Sequence, residues 1–303
     1  MYKRILYPIK FEEFSLDILS CILNFKKAGT EEIILLHVID VAKLPMDKYE
    51  GYHPDDVKRR TEVVGLEMHE AVRLIEASGL AAKSLIAVGV PYREILRIAG
   101  EEKVSLIVSG RQKRGVLGEI FIGSNTDKII RYGKAPVYIP KLPSIFAVDK
   151  EACARYCAKP FTRVLYPTDW SACAQEALRY LKGLKEAGVE EVVVAHIMDE
   201  EAMGLQPPEK VKEFERIDRE KLEKVEQELK DEGFKVTTTL HVGKAAKHLM
   251  EIARLEDISM IVMGSHGKGS VEGMLWGSVS RAVVEYSDRP VLLVKGSGCR
   301  EGR

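Results

Sequence analysis

The sequence lacks a net charge, a long apolar run and a clustered cysteine pattern, and each absence removes a class of function. Lys and Arg together number 46 among the 303 residues, and so do Asp and Glu. A chain so balanced offers no surface field of the kind that coats nucleic acid, and no nucleic-acid partner is expected. No apolar stretch approaches the roughly 18 residues that a membrane helix needs. Met1-Tyr2-Lys3-Arg4 runs directly into a strand-like segment, Ile5 to Ile9, rather than into a secretory leader. A cytoplasmic protein without a membrane partner is expected. The cysteines, Cys21, Cys153, Cys157, Cys173 and Cys299, are odd in number and scattered, which gives no disulfide framework. Cys153 and Cys157 stand four apart, but structural metal sites of this kind generally use four ligands; no metal is assigned, and the pair reads as linker thiols. Cys173 has no His–acid constellation that would make it a nucleophile. Also absent is G-x4-G-K-[ST], the phosphate loop of many nucleotide hydrolases.

What is present is an internal repeat. Tyr2-Lys-Arg-Ile-Leu-Tyr-Pro8 lies over Phe161-Thr-Arg-Val-Leu-Tyr-Pro167 at an offset of 159, which still holds where Ile33–His37 lies over Val192–His196. The offset then falls to 154, so the first copy is five residues longer in between. From Val88-Gly89 over Val242-Gly243 onward the copies align without a gap. Gly110, Gly115, Gly123, Ser124, Pro136 and Val137 match Gly264, Gly269, Gly277, Ser278, Pro290 and Val291. Two domains follow, 1–141 and 161–303, with a linker at 142–160 bounded by Pro143 and Pro160.

Each copy alternates short apolar runs with amphipathic stretches. Strands are expected near 3–9, 32–38, 83–89, 104–109 and 136–140, and again near 162–167, 191–198, 235–242, 258–263 and 290–294. Runs that are continuously apolar suit parallel strands covered on both faces. Val57, Thr61, Val64, Met68, Ala71 and Ile75 form one helical stripe; Phe214, Ile217, Val225 and Leu229 form its counterpart. The expectation is an α/β protein with two doubly wound, five-stranded parallel sheets, one per repeat.

In such sheets ligands sit beyond the carboxyl ends of the strands. In the second copy, the fourth strand runs into Gly264-Ser265-His266-Gly267, followed by Gly277-Ser278 at the start of a helix, a G-x2-G-x9-G-S spacing. Glycines admit close backbone approach, and a helix start presents unpaired N–H groups that hold an anion. Ser278 and Ser280 add hydroxyls, and His266 can touch a phosphate. A glycine-rich turn with Ser278 as a plain helix cap fits the same residues. The first strand ends in Pro167-Thr168-Asp169, where a carboxylate can accept hydrogen bonds from an adenine amino or ribose hydroxyl group, or can cap the next helix. His37 and His196 match across the copies and read as packed, hydrogen-bonded side chains.

The Pro167-Thr168-Asp169 strand end, the Gly264-x2-Gly267-x9-Gly277-Ser278 spacing and the Pro290–Val294 strand together resemble the universal stress protein family, once per copy, as in its tandem members. The resemblance implies a Rossmann-like, flavodoxin-like or adenine nucleotide alpha hydrolase-like fold with an adenine-nucleotide pocket. By position, Asp169 and the backbone near Ile197 would face adenine or ribose, with Pro167 and Thr168 beside them. Met263 and Gly264 would line the ribose, while Gly267, Gly277, Ser278, Val279 and Ser280 would hold phosphates. The first copy departs from this pattern: Lys10 replaces Asp169, Ile9 replaces Thr168 and Lys113 replaces Gly267. That copy reads as structural, with Lys10, Arg111, Lys113 and Arg114 as an alternative anion cluster.

The implied function is an adenine-nucleotide-binding regulator of a stress response, holding AMP or ATP in the C-terminal copy, with Mg²⁺ accompanying ATP. The alternatives are a slow ATP hydrolase or phosphotransferase, for which no catalytic base can be named, and a non-binding scaffold. The final strands are candidate edges expected to pair across domains or subunits, giving an intrachain pseudo-dimer or a homodimer.

Overall fold

The computed structural model describes residues 1–10, 16–44, 46–47, 51–52, 54–110, 112–113, 120–141, 161–267 and 276–295. The linker, Arg111, Arg114, Gly115, Gly269 and the cysteines at 153, 157 and 299 lie outside them.

The first copy contributes β1 (Arg4–Pro8), β2 (Glu32–Asp40), β3 (Ala81–Gly89), β4 (Leu106–Val108) and β5 (Val137–Ile139). The second contributes β6 (Arg163–Pro167), β7 (Glu191–Asp199), β8 (Lys235–Gly243), β9 (Met260–Gly264) and β10 (Val291–Val294). Within each copy the strands are parallel and ordered third, second, first, fourth, fifth. The strand order reverses beside β1 and β6, and a crevice opens at such a reversal. The two five-stranded halves do not stay apart. β10 pairs antiparallel with β5, Leu292 opposite Tyr138, so the chain forms one ten-stranded sheet and the expected pairing of the final strands occurs within it.

Helices α1 (Leu16–Leu23), α2 (Pro54–Ala77), α3 (Pro91–Glu101) and α4 (Ser124–Tyr132) flank the first half. Helices α5 (Ala172–Lys182), α6 (Glu200–Gly204), α7 (Pro208–Asp231), α8 (Ala245–Leu255) and α9 (Ser278–Tyr286) flank the second. Alternate strand residues feed two cores. Ile5, Tyr7, Val164 and Tyr166 face one layer with Met68 and Leu181, whereas Leu6 and Leu165 face the other with Ile98 and Leu249. Each core runs through both copies, because the sheet is continuous. The five additional residues of the first copy lie between β2 and α2, around a small hairpin of Met46–Asp47 with Gly51–Tyr52.

The expected α2 stripe holds: Val64, Met68, Ala71 and Ile75 are buried. Its counterpart in α7 needs correction. Phe214 is 37% exposed, and Leu222 joins Leu229 as a buried position instead, because only the second half of the helix turns fully buried residues toward the sheet.

The halves are also joined by reciprocal lysines. Lys141, buried after β5, donates its ammonium to the carbonyl of Val284 in α9. Its repeat mate Lys295, buried after β10, donates to the carbonyls of Ile130 and Gly133 at the end of α4. Val284 and Ile130 are themselves repeat mates. A cation suits the negative end of a helix, and a buried ammonium requires such partners.

Candidate functional site

The end of β6 builds a tight turn. Thr168 N donates to Ala195 O at 2.9 Å, extending the ladder toward β7. Thr168 Oγ1 accepts from Trp170 N at 3.1 Å, and Asp169 Oδ1 accepts from Ser171 N at 3.1 Å. Ser171 then caps α5, accepting from Ala174 N. Asp169 is therefore not the helix cap; its carboxylate braces the turn through one oxygen. The other oxygen lies against the glycine loop, and a Cβ built on Gly267 would stand 2.5 Å from Asp169 Oδ2. Behind the turn, Tyr166 donates to Ala174 O at 2.8 Å, and burial holds its phenol well above the ordinary value, so it remains a donor.

The opposite wall comes from β9 and α9. Gly264 lets the backbone of α5 approach: a Cβ there would meet the carbonyl carbon of Cys173 at 2.8 Å. Ser265 is fully buried, and its carbonyl accepts from Gly277 N at 2.8 Å and Ser280 Oγ at 2.9 Å. These two bonds pin the start of α9 against the strand end. Gly277 is the N-cap and makes no side-chain cap, so Ser278 is the first helical residue rather than the cap. Ser280 donates to backbone carbonyls, so its hydroxyl fastens the loop. His266 Nδ1 lies 2.9 Å from Ser265 Oγ.

Between these walls is a cavity of about 400 Å³. Pro167, Thr168, Asp169, Ile197, Met263, Gly264, His266, Gly267, Gly277, Ser278, Val279 and Ser280 all line it. The structure thus brings all twelve sequence-derived residues around one space. It adds Ala174, Ala195, Asp199, Ala245 and Leu249, which sequence reasoning missed. Half-buried Ala245 and buried Leu249 come from the apolar stripe of α8, a signal that does not distinguish a cavity wall from core. Asp199 ends β7 and caps α6 by accepting from Ala202 N at 2.9 Å.

One expectation changes on the rear of the site and another gains a partner. Cys21 and Cys173 are each disulfide-bonded rather than free thiols, where the scattered cysteine positions gave no disulfide framework. His196 is buried and hydrogen-bonded, as expected, and its Nε2 lies 3.1 Å from Asp218 of α7, a partner the sequence did not reveal. In the first copy the same strand-end geometry recurs, with Ile9 N donating to Leu36 O at 2.8 Å, which puts Lys10 in the place of Asp169. Among the described residues no group of three or more His, Cys, Asp and Glu side chains could hold a metal ion, and no helix is long and apolar enough to cross a membrane.

The model of the universal stress protein family matches residues 1–141 and again 160–295. The chain belongs to the universal stress protein family. A universal stress protein of Methanocaldococcus jannaschii is 36% identical over 154 residues, covering 45% of this chain and 95% of that protein. One from Mycobacterium bovis is 25% identical over 275 residues, 88% of each chain. The crystal structure of a universal stress protein from Archaeoglobus fulgidus superposes with a TM-score of 0.72 at 27% identity, covering 97% of this chain and 96% of that one. The mycobacterial and Archaeoglobus proteins are therefore similar along both copies, which makes this universal stress protein a tandem one.

Proposed function

We propose that the C-terminal copy of this universal stress protein binds an adenine nucleotide, AMP or ATP, and that the chain acts as a nucleotide-responsive regulator in a stress response. One observation carries the reading: the amide-bearing start of α9 and the carboxylate of Asp169 face the same cavity of about 400 Å³, which is within the range of small-molecule sites. A helix N-terminus attracts phosphate by its unpaired N–H groups and partial positive charge. The apolar side chains of Ile197, Met263 and Leu249 suit a flat base, and Asp169 suits a donor on the base or sugar. Ser278 supplies a phosphate donor, whereas Ser280 holds the loop in shape. Mg²⁺ would enter with ATP, ligated chiefly by phosphate oxygens.

The test is mass spectrometry of small molecules released from the purified full chain, followed by calorimetric titration with AMP and ATP. Saturable binding of either nucleotide is expected, and no binding of both overturns the reading. Hydrolysis is assayed separately with Mg²⁺. Sustained turnover of ATP by the purified full chain would move the protein into the enzyme class.

A further inference from the structure

Asp169 serves the cavity only while the turn that carries it keeps its shape, and this turn is under strain. Trp170, the next residue, has φ +64°, a left-handed conformation that a bulky side chain seldom adopts unless its surroundings impose it. The imposing groups stand behind the cavity. His196 Nδ1 donates to Thr168 O at 2.7 Å, and its Nε2 lies 3.1 Å from Asp218 Oδ2 on α7. The Trp170 ring packs at a tilt of 39° against the His196 ring, with centroids 4.9 Å apart. Lys221, one turn further along α7, pairs with Asp218 at 3.0 Å and stands 5.5 Å from the Trp170 ring centroid. The strand end, the turn and α7 therefore form one contact group around His196.

The duplication supplies an internal control. At the repeat-equivalent positions the first copy has Lys10 for Asp169, Phe11 for Trp170 and Val64 for Asp218, yet His37 still matches His196. Packing against the sheet needs only the histidine, which both copies keep. The acid and the indole occur only in the copy that keeps the carboxylate at the cavity.

We propose that Asp218, His196 and Trp170 are positioning residues that latch the Thr168–Ser171 turn to α7, hold Asp169 in the cavity and tie the placement of α7 to nucleotide binding. The proposal rests on the nucleotide reading above. Asp218 touches nothing in the cavity and acts through His196 and the turn. Helix α7 is thereby the element through which occupancy can be communicated to the protein surface.

The experiment uses the full chain carrying Trp276→Phe, so that Trp170 is its single tryptophan. AMP affinity, Trp170 emission and Tm are measured for this parent, Asp218→Val, Asp218→Asn, Asp169→Ala and the Asp169→Ala/Asp218→Val double variant. Valine is tolerated at the equivalent buried position, Val64, so the fold is retained. Loss of a hydrogen bond to a charged group predicts about tenfold weaker AMP binding for Asp218→Val, with Trp170 emission shifted before any ligand is added. Asp218→Asn, whose amide can still hydrogen-bond Nε2, restores most of both. The double variant binds no more weakly than Asp169→Ala alone, because the latch acts through Asp169. Wild-type affinity in Asp218→Val, or a full further loss in the double variant, overturns the proposal. If the parent binds no adenine nucleotide, the reading of the cavity fails separately. The latch is then judged by Trp170 emission, and an unchanged spectrum in Asp218→Val refutes it.

Discussion

At the scale of single residues, Asp169 and Gly267 behave as one constraint. The glycine leaves room for a carboxylate oxygen that a Cβ would meet at 2.5 Å, and the first copy has changed both positions, to Lys10 and Lys113. Gly267→Ala must therefore displace Asp169 or the loop, and AMP affinity is expected to fall although the new side chain is only a methyl group; calorimetry on the full chain measures it. Asp169→Ala is expected to weaken binding by about tenfold, the worth of one hydrogen bond to a charged group, while Lys10→Ala leaves it unchanged. Equal affinities for these two variants would refute the assignment of the site to the second copy. This pair was legible from spacing, since strand ends and glycines declare themselves locally. Asp218 was not: it lies on an exposed-looking helix, and nothing in its neighbourhood in the chain announces a histidine 22 positions earlier as its partner. The cap of α5, left open at Asp169, falls to Ser171, because two polar residues near the helix start can do the same job and only the turn geometry decides.

At the scale of elements, the site depends on how α9 is fastened to β9. Ser265 O receives both Gly277 N and Ser280 Oγ, so strand end and helix start are joined across the intervening loop. Ser280→Ala removes one of these bonds and leaves the other; it is expected to lower stability by about 1 kcal/mol and to weaken AMP binding more than that loss would by itself, because the amides of α9 lose their aim. Thermal unfolding and titration on one preparation test the two effects together. Elements were the most legible level. Continuous Val- and Ile-rich runs marked the strands, and the α2 stripe marked its buried face. The α7 stripe misled at Phe214 because a charged, weakly apolar helix offers several stripes of similar quality, and the sheet chooses between them.

At the scale of the whole molecule, the two copies share both hydrophobic layers and should lose structure together. Both tryptophans, Trp170 and Trp276, lie in the second copy and report on it alone. Ile34→Ala, a fully buried position in the first copy, should cost about 2–5 kcal/mol. It is expected to lower the unfolding midpoint read by those distant tryptophans; an unmoved midpoint would mean that the halves unfold independently. Lys141→Met tests the junction: it leaves the Val284 carbonyl without this donor in a buried place and is expected to cost about 1–3 kcal/mol. The repeat and its doubly wound, five-stranded units could be read from the chain. The lysine exchange could not, because each lysine bonds a residue more than a hundred positions away, and the matching of Lys141 with Lys295 gains meaning only when β5 and β10 are seen side by side.

That antiparallel junction has an evolutionary consequence. In an assembly of two identical chains, any altered residue is imposed on both members at once, so a change useful on one side must be endured on the other. Here the partners are covalently tethered and always present one to one, and a substitution such as Lys10 or Val64 enters a single lobe. The molecule keeps the paired architecture while its two faces are free to diverge into unlike halves.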